Sequence, residues 1–106
     1  MDKLNKYGFV SGGYIFDLLD RGALEHLNHK IPDTKNELWF TSRAEISYYR
    51  QICDIKDITF DYLFTGCNST TAIIKATIIQ NGEEAVVAEF YFKKANHNYC
   101  ETKDKK

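Results

Sequence analysis

Hydrophobic positions change their spacing once along the chain, from every third or fourth residue to every second. Residues 11–28 (SGGYIFDLLDRGALEHLN) carry the first pattern and predict a helix. Ser11 is a good N-cap, and Gly12 and Gly13 open the first turn. On a helical wheel Asp17, Arg21, Glu25 and Asn28 form one polar stripe, with i,i+4 pairs Asp17–Arg21 and Arg21–Glu25. Ile15, Phe16, Leu18, Leu19, Gly22, Ala23 and Leu27 cover most of the remaining girth, which predicts a helix buried on several sides. Asp20 lies at the edge of the polar stripe, beside Phe16 and Leu27. Gly22 and Ala23 are small enough for another backbone to come close.

After a loop around Ile31–Asn36 the period becomes two. Residues 37–49 alternate Leu38, Phe40, Ser42, Ala44, Ile46 and Tyr48 against Trp39, Thr41, Arg43, Glu45, Ser47 and Tyr49. Residues 57–66 place Ile58, Phe60, Tyr62 and Phe64 on one face, and Gly66-Cys67-Asn68 is a turn signal. Residues 70–80 are rich in β-branched side chains. Asn81-Gly82 predicts a type I′ hairpin turn into a last strand over 84–94. One helix followed by four strands is an α+β domain with an antiparallel sheet. Such a sheet leaves an edge strand and an open helix flank, which a second copy of the chain would cover.

Composition narrows this picture. A chain of 106 residues fits one domain, assigned to residues 1–100, with a polar tail over 101–106 (ETKDKK). It is 43% hydrophobic and 14% aromatic, which excludes a disordered chain. The net charge of -1 gives no electrostatic footprint for nucleic acid or an anionic membrane. Cys53, Cys67 and Cys100 are odd in number and lack ligand spacing, so neither a disulfide framework nor a zinc site is expected. With no apolar leader and no membrane-length apolar run, the expectation is a cytoplasmic protein.

The stretch Gly8–Leu27 followed by Thr41–Tyr49 resembles the hotdog-fold acyl-CoA thioesterases, above all the phenylacetyl-CoA and 4-hydroxybenzoyl-CoA thioesterase branch. That branch carries a His-Gly-Gly turn before the central helix and a catalytic carboxylate eight residues after the first glycine. Here the turn is Ser11-Gly12-Gly13 and the carboxylate is Asp20. The segment AEISYYRQICDIKDITF resembles the family's second strand, turn and third strand, and Thr41 falls where some members hold the attacking water with a hydroxyl. The resemblance covers about residues 8–94. It implies a long central helix wrapped by an antiparallel sheet, a homodimer with a tetramer as a further assembly, and an acyl-CoA or other acyl thioester as ligand. No cofactor or metal is implied beyond the coenzyme A moiety itself. Serine replaces the family histidine, and only about seven residues precede Gly8, where the family has a first strand. The hydratase branch of the fold uses a histidine before the helix, and none precedes His26 here.

Thioester hydrolysis needs a donor for the carbonyl oxygen and a group that attacks or activates water. A helix N-terminus offers free N–H groups, and glycine lets a carbonyl approach them. Gly12, with Gly13, is the candidate oxyanion donor; a tight turn into a helix is the alternative. Asp20 is the candidate general base or nucleophile, or else a surface aspartate paired with Arg21 or a lysine. Two turns beyond Gly12, it lies about 12 Å along the same helix. The resemblance therefore implies that Gly12 of one chain faces Asp20 of its twin across a dimer. Thr41 is the candidate for orienting water, or a plain strand threonine. Asp17 reads as a solvated ion pair with Arg21, and His26 as a packed core residue. Coenzyme A carries phosphates, which makes Arg50, Lys93 and Lys94 candidates beside Ser11 and Gly13; solvated edge cations are the alternative. The rival functions are a non-catalytic acyl-CoA-binding or regulatory module on the same fold and a purely structural dimerisation domain.

Overall fold

The computed structural model describes residues 3–31 and 37–96; the 101–106 tail, His97, Cys100 and most of the 31–36 loop fall outside them. Helix α1 spans Gly12–Lys30 and is followed by strands β1 (Glu37–Tyr48), β2 (Ile58–Cys67), β3 (Thr71–Gln80) and β4 (Glu83–Asn96), with a short 3-10 turn at Ile55–Asp57. The strands form one antiparallel sheet in the order β1-β4-β3-β2. The predicted α+β architecture is therefore present as a single helix on a four-stranded sheet.

Each element follows from its local chemistry. Ser11 caps α1 as expected, its Oγ accepting from the Tyr14 N–H at 3.2 Å while its carbonyl accepts from Ile15 N–H. Ile15, Leu19, Ala23 and Leu27 recur every fourth residue and form one buried stripe. That stripe packs on the inward-facing residues Ala72, Ile74, Ala76 and Ile78 of β3 and Val86, Ala88, Phe90 and Phe92 of β4, all buried. Asn81 and Gly82 both adopt positive φ, 55° and 79°, the backbone of the predicted type I′ turn between β3 and β4.

Four expectations are corrected. First, α1 is not enclosed on several sides: Phe16, Leu18 and Leu24 are only half-buried, so the helix keeps a partly apolar flank open. Second, Gly22 does not admit a neighbouring backbone. The Tyr62 ring fills its place, with Oη only 1.9 Å from where a Cβ would stand. Third, His26 is not in the core; it is half-buried and stacks on Tyr62 with ring centroids 5.8 Å apart. Fourth, β1 does not alternate without interruption. A β-bulge between Thr41 and Arg43 leaves Ser42 outside the ladder. Trp39 and Thr41 consequently share the helix-facing side with Ala44, Ile46 and Tyr48, while Arg43, Glu45 and Ser47 face outward. Arg43 stacks over Tyr91, its cross-strand partner on that outer face, at 4.9 Å.

Residues 3–10 form a compact loop, with a single bridge between Leu4 and Val10 and with the Asn5 side chain accepting from the N–H groups of Tyr7 and Phe9. Val10 N–H donates to Ile52 O, which fastens the loop beside the start of α1.

Candidate functional site

The start of α1 has two donors to spare. The N–H of Tyr14 goes to Ser11 Oγ and that of Ile15 to Ser11 O, whereas the N–H groups of Gly12 and Gly13 take no acceptor among the described residues. Both glycines are exposed. Gly12 lines a cleft of about 390 Å³ together with Val10, Ile15, Tyr48, Tyr49, Arg50 and Ile52. The lining mixes the apolar side chains of Val10, Ile15 and Ile52 with two phenols, one guanidinium, Asn5 and Gln51.

Tyr48 reaches this place because it ends β1 on the helix-facing side. Its hydroxyl donates to the carbonyl of Gly12 at 2.7 Å, and its ring lies 3.4 Å from the Cβ position of Gly12. Burial pushes the Tyr48 phenol above its ordinary value of 10.0, so it remains a protonated donor at neutral pH. The sequence places Tyr48 only in the alternation of residues 37–49. Its place at one end of a strand gave no signal of the helix carbonyl it would meet.

Two turns along α1, Asp20 and Thr41 meet. The Thr41 hydroxyl donates to Asp20 Oδ1 at 2.6 Å, and Asp20 is half-buried with Thr41 exposed beside it. Two candidates 21 residues apart are thus brought into direct contact. Asp17 takes the other role open to a carboxylate on this helix, pairing with Arg21 at 2.7 Å on the surface. Arg21 therefore serves Asp17 and not the expected Glu25.

The cationic candidates separate. Arg50 stands at the Gly12 cleft, with its guanidinium 3.2 Å from a Glu83 carboxylate oxygen. Lys93 and Lys94 lie at the other end of the sheet, opposite Phe40 and Trp39. They point to opposite faces: Lys93 is exposed on the outer face, and Lys94 Nζ lies 5.2 Å from the Trp39 ring on the helix side. Within one chain neither lysine approaches Gly12; both belong to the end of the sheet where Asp20 and Thr41 sit. Among the described residues no three His, Cys, Asp or Glu side chains are grouped to hold a metal ion, and no helix is long and apolar enough to cross a membrane.

No protein-family model matches this sequence, and no curated protein matches it. Solved structures do. The chain superposes on smu.793 from Streptococcus mutans, bound to acetyl CoA, with a TM-score of 0.72 and 25% identity over 89% of this chain and 73% of that one. It matches BH2602 from Bacillus halodurans, solved with CoA, with a TM-score of 0.74 at 16% identity over 86% of this chain. It matches the gentisyl-coenzyme A thioesterase BH1999 with a TM-score of 0.75 at 12% identity over 89% of this chain and 80% of that one. The chain spans 59% of the length of BH2602. The α1-on-sheet arrangement and these superpositions agree with the resemblance read from residues 8–94: the chain has the hotdog fold.

Proposed function

We propose that this protein hydrolyses an acyl-CoA thioester at a site shared between two copies of the chain. The observation that carries the reading is the pairing of Asp20 with Thr41, about 12 Å along the helix from two unclaimed N–H groups at Gly12 and Gly13. One chain holds both halves of the chemistry, too far apart to act on one carbonyl. A twofold axis that sets two α1 helices antiparallel through their open flanks brings Gly12 of each against Asp20 of the other. The same operation moves Lys93 and Lys94 of one chain towards Arg50 of its partner, which groups the cations for the coenzyme A phosphates.

At such a site the thioester carbonyl oxygen sits at the Gly12 and Gly13 N–H groups and gains negative charge there. Asp20, its carboxylate oriented by the Thr41 hydroxyl, accepts a proton from water as the water oxygen bonds to the carbonyl carbon. The C–S bond then breaks, and the departing thiolate takes that proton to leave as coenzyme A beside a free carboxylic acid. Direct attack by the Asp20 carboxylate, followed by hydrolysis of the resulting anhydride, uses the same residues. The cleft walls of Ile15, Val10 and Ile52 suit an acyl group of modest size. That three structural neighbours are a CoA complex, an acetyl CoA complex and a CoA thioesterase supports the reading.

Thiol release measured over a panel of acyl-CoA esters tests it. Wild type turns over at least one ester, and Asp20→Asn lowers kcat by a factor on the order of a hundred or more. No release from any ester, short or long, refutes hydrolysis. The binding-only alternative draws on Ser11, whose Oγ is engaged in capping α1 and leaves the family's histidine position without an imidazole. Under it, acyl-CoA raises the melting temperature of wild type and Asp20→Asn alike, and no thiol appears.

A further inference from the structure

We infer that Tyr48 is a positioning residue that fixes the Gly12–Gly13 peptide and strengthens its N–H as an oxyanion donor; this rests on the hydrolase reading. Two consecutive glycines form the least restrained start a helix can have. The Ser11 cap holds the N–H groups of Tyr14 and Ile15 and leaves the Gly13 N–H without an acceptor among the described residues. Among the described residues the tertiary bond on that peptide is the one from Tyr48 Oη to Gly12 O, at 2.7 Å. The carbonyl of Gly12 and the N–H of Gly13 belong to one planar resonant unit. A donor on the oxygen draws electron density through the C–N bond, polarises the N–H, and fixes the plane in which it points.

The anchor is rigid where the glycines are not. Tyr48 is held in the β1–β4 ladder opposite the buried Val86, and its ring rests on Gly12 in ordinary van der Waals contact. It is 47% exposed, and its ring also forms one side of the cleft that Gly12 lines. The hydroxyl meets the back of the peptide, and so its effect falls on the developing oxyanion more than on ground-state binding.

Tyr48→Phe tests this by removing one oxygen while keeping the ring against Gly12. The expected result is a fall in kcat of roughly five- to tenfold with KM changed less than about twofold, the loss of one neutral hydrogen bond expressed in the transition state. The amide proton of Gly13 moves upfield in the 1H–15N spectrum of the same variant. Tyr91→Phe, which removes a hydroxyl on the outer face of the sheet, changes neither. A Tyr48→Phe enzyme that matches wild-type kcat, or a Gly13 resonance that does not move, overturns the inference. If wild type itself releases no thiol, the hydrolase reading falls, and the Gly13 resonance alone still decides whether Tyr48 holds the peptide.

Discussion

At the scale of single residues, one position shows how little a helix tolerates once a neighbour has claimed its surface. Gly22 sits mid-helix in α1, where alanine would ordinarily add about 1 kcal/mol of helix propensity. Here the added methyl would overlap the phenol end of Tyr62, at Oη and Cζ, so the ring has to shift. Its stacking on His26 and on Phe60, 5.8 and 6.4 Å between centroids, would be disturbed with it. Gly22→Ala is therefore expected to destabilise the fold by roughly 1–2 kcal/mol in chemical denaturation, against the sign of the propensity scale. Shortening the obstacle removes the conflict: in a Tyr62→Val background the same substitution becomes neutral or stabilising, and the double-mutant cycle gives a strongly non-additive coupling. Additive effects would show that the ring moves aside without cost. The contrast with Gly12 is instructive, because there the Tyr48 ring stays at 3.4 Å and leaves room for a Cβ.

At the scale of elements, the decisive irregularity is the bulge in β1. With strict alternation, Thr41 would lie on the opposite side of the sheet from Ala44, Ile46 and Tyr48, and could not meet a residue of α1. The unpaired Ser42 reverses the side of everything before it, which buries Trp39 and turns Thr41 to Asp20. Deleting Ser42 is expected to undo this. Trp39 is the only tryptophan in the chain, so its emission should shift to the red as it enters water. Stability should fall by about 3–5 kcal/mol, the scale of losing a large buried aromatic. An unshifted spectrum would show that the strand re-forms its bulge elsewhere. The same feature marks where the sequence could be read and where it could not. The stripe of α1, the Asn81-Gly82 turn and all four strands were legible, because periodicity and turn chemistry are local. The bulge was not, since Glu-Leu-Trp-Phe-Thr-Ser-Arg offers an equally regular alternation in either register. Gly12, Asp20 and Thr41 were proposed from spacing and resemblance, but the Asp20–Thr41 contact and the Tyr48–Gly12 bond depend on that hidden register. Lys93 and Lys94 are candidates by their position at a strand end; a strand sends consecutive residues to opposite faces, and so the pair splits.

At the scale of the whole molecule, the surface is unequal in a way that bears on assembly. The outer face of the sheet carries a polar cluster, in which Arg43 pairs with Glu45 and stacks on Tyr91, whose hydroxyl donates to Glu89, alongside exposed Leu38, Phe40 and Leu63. The helix side is different. Phe16 and Leu18 are half-buried, and Gly12, Gly13, Thr41 and Tyr48 are exposed along the seam between α1 and β1. A partner that covers this seam would bury apolar helix surface and close the water-exposed edge of β1. If that partner is a second copy, each active site takes its oxyanion donors from one chain and its carboxylate from the other, and the consequence is testable without a structure of the assembly. Asp20→Asn supplies a chain with donors and no base; Gly12→Val supplies a chain with a base and an obstructed donor. Each alone should be inactive. Unfolded together and refolded as an equal mixture, half of the dimers carry one chain of each kind, and each of those has one site built from two intact halves. Recovery of about a quarter of wild-type activity is then expected, from random pairing across a twofold interface. Sites contained within single chains would recover nothing on mixing, because every chain in the mixture would still carry its own lesion.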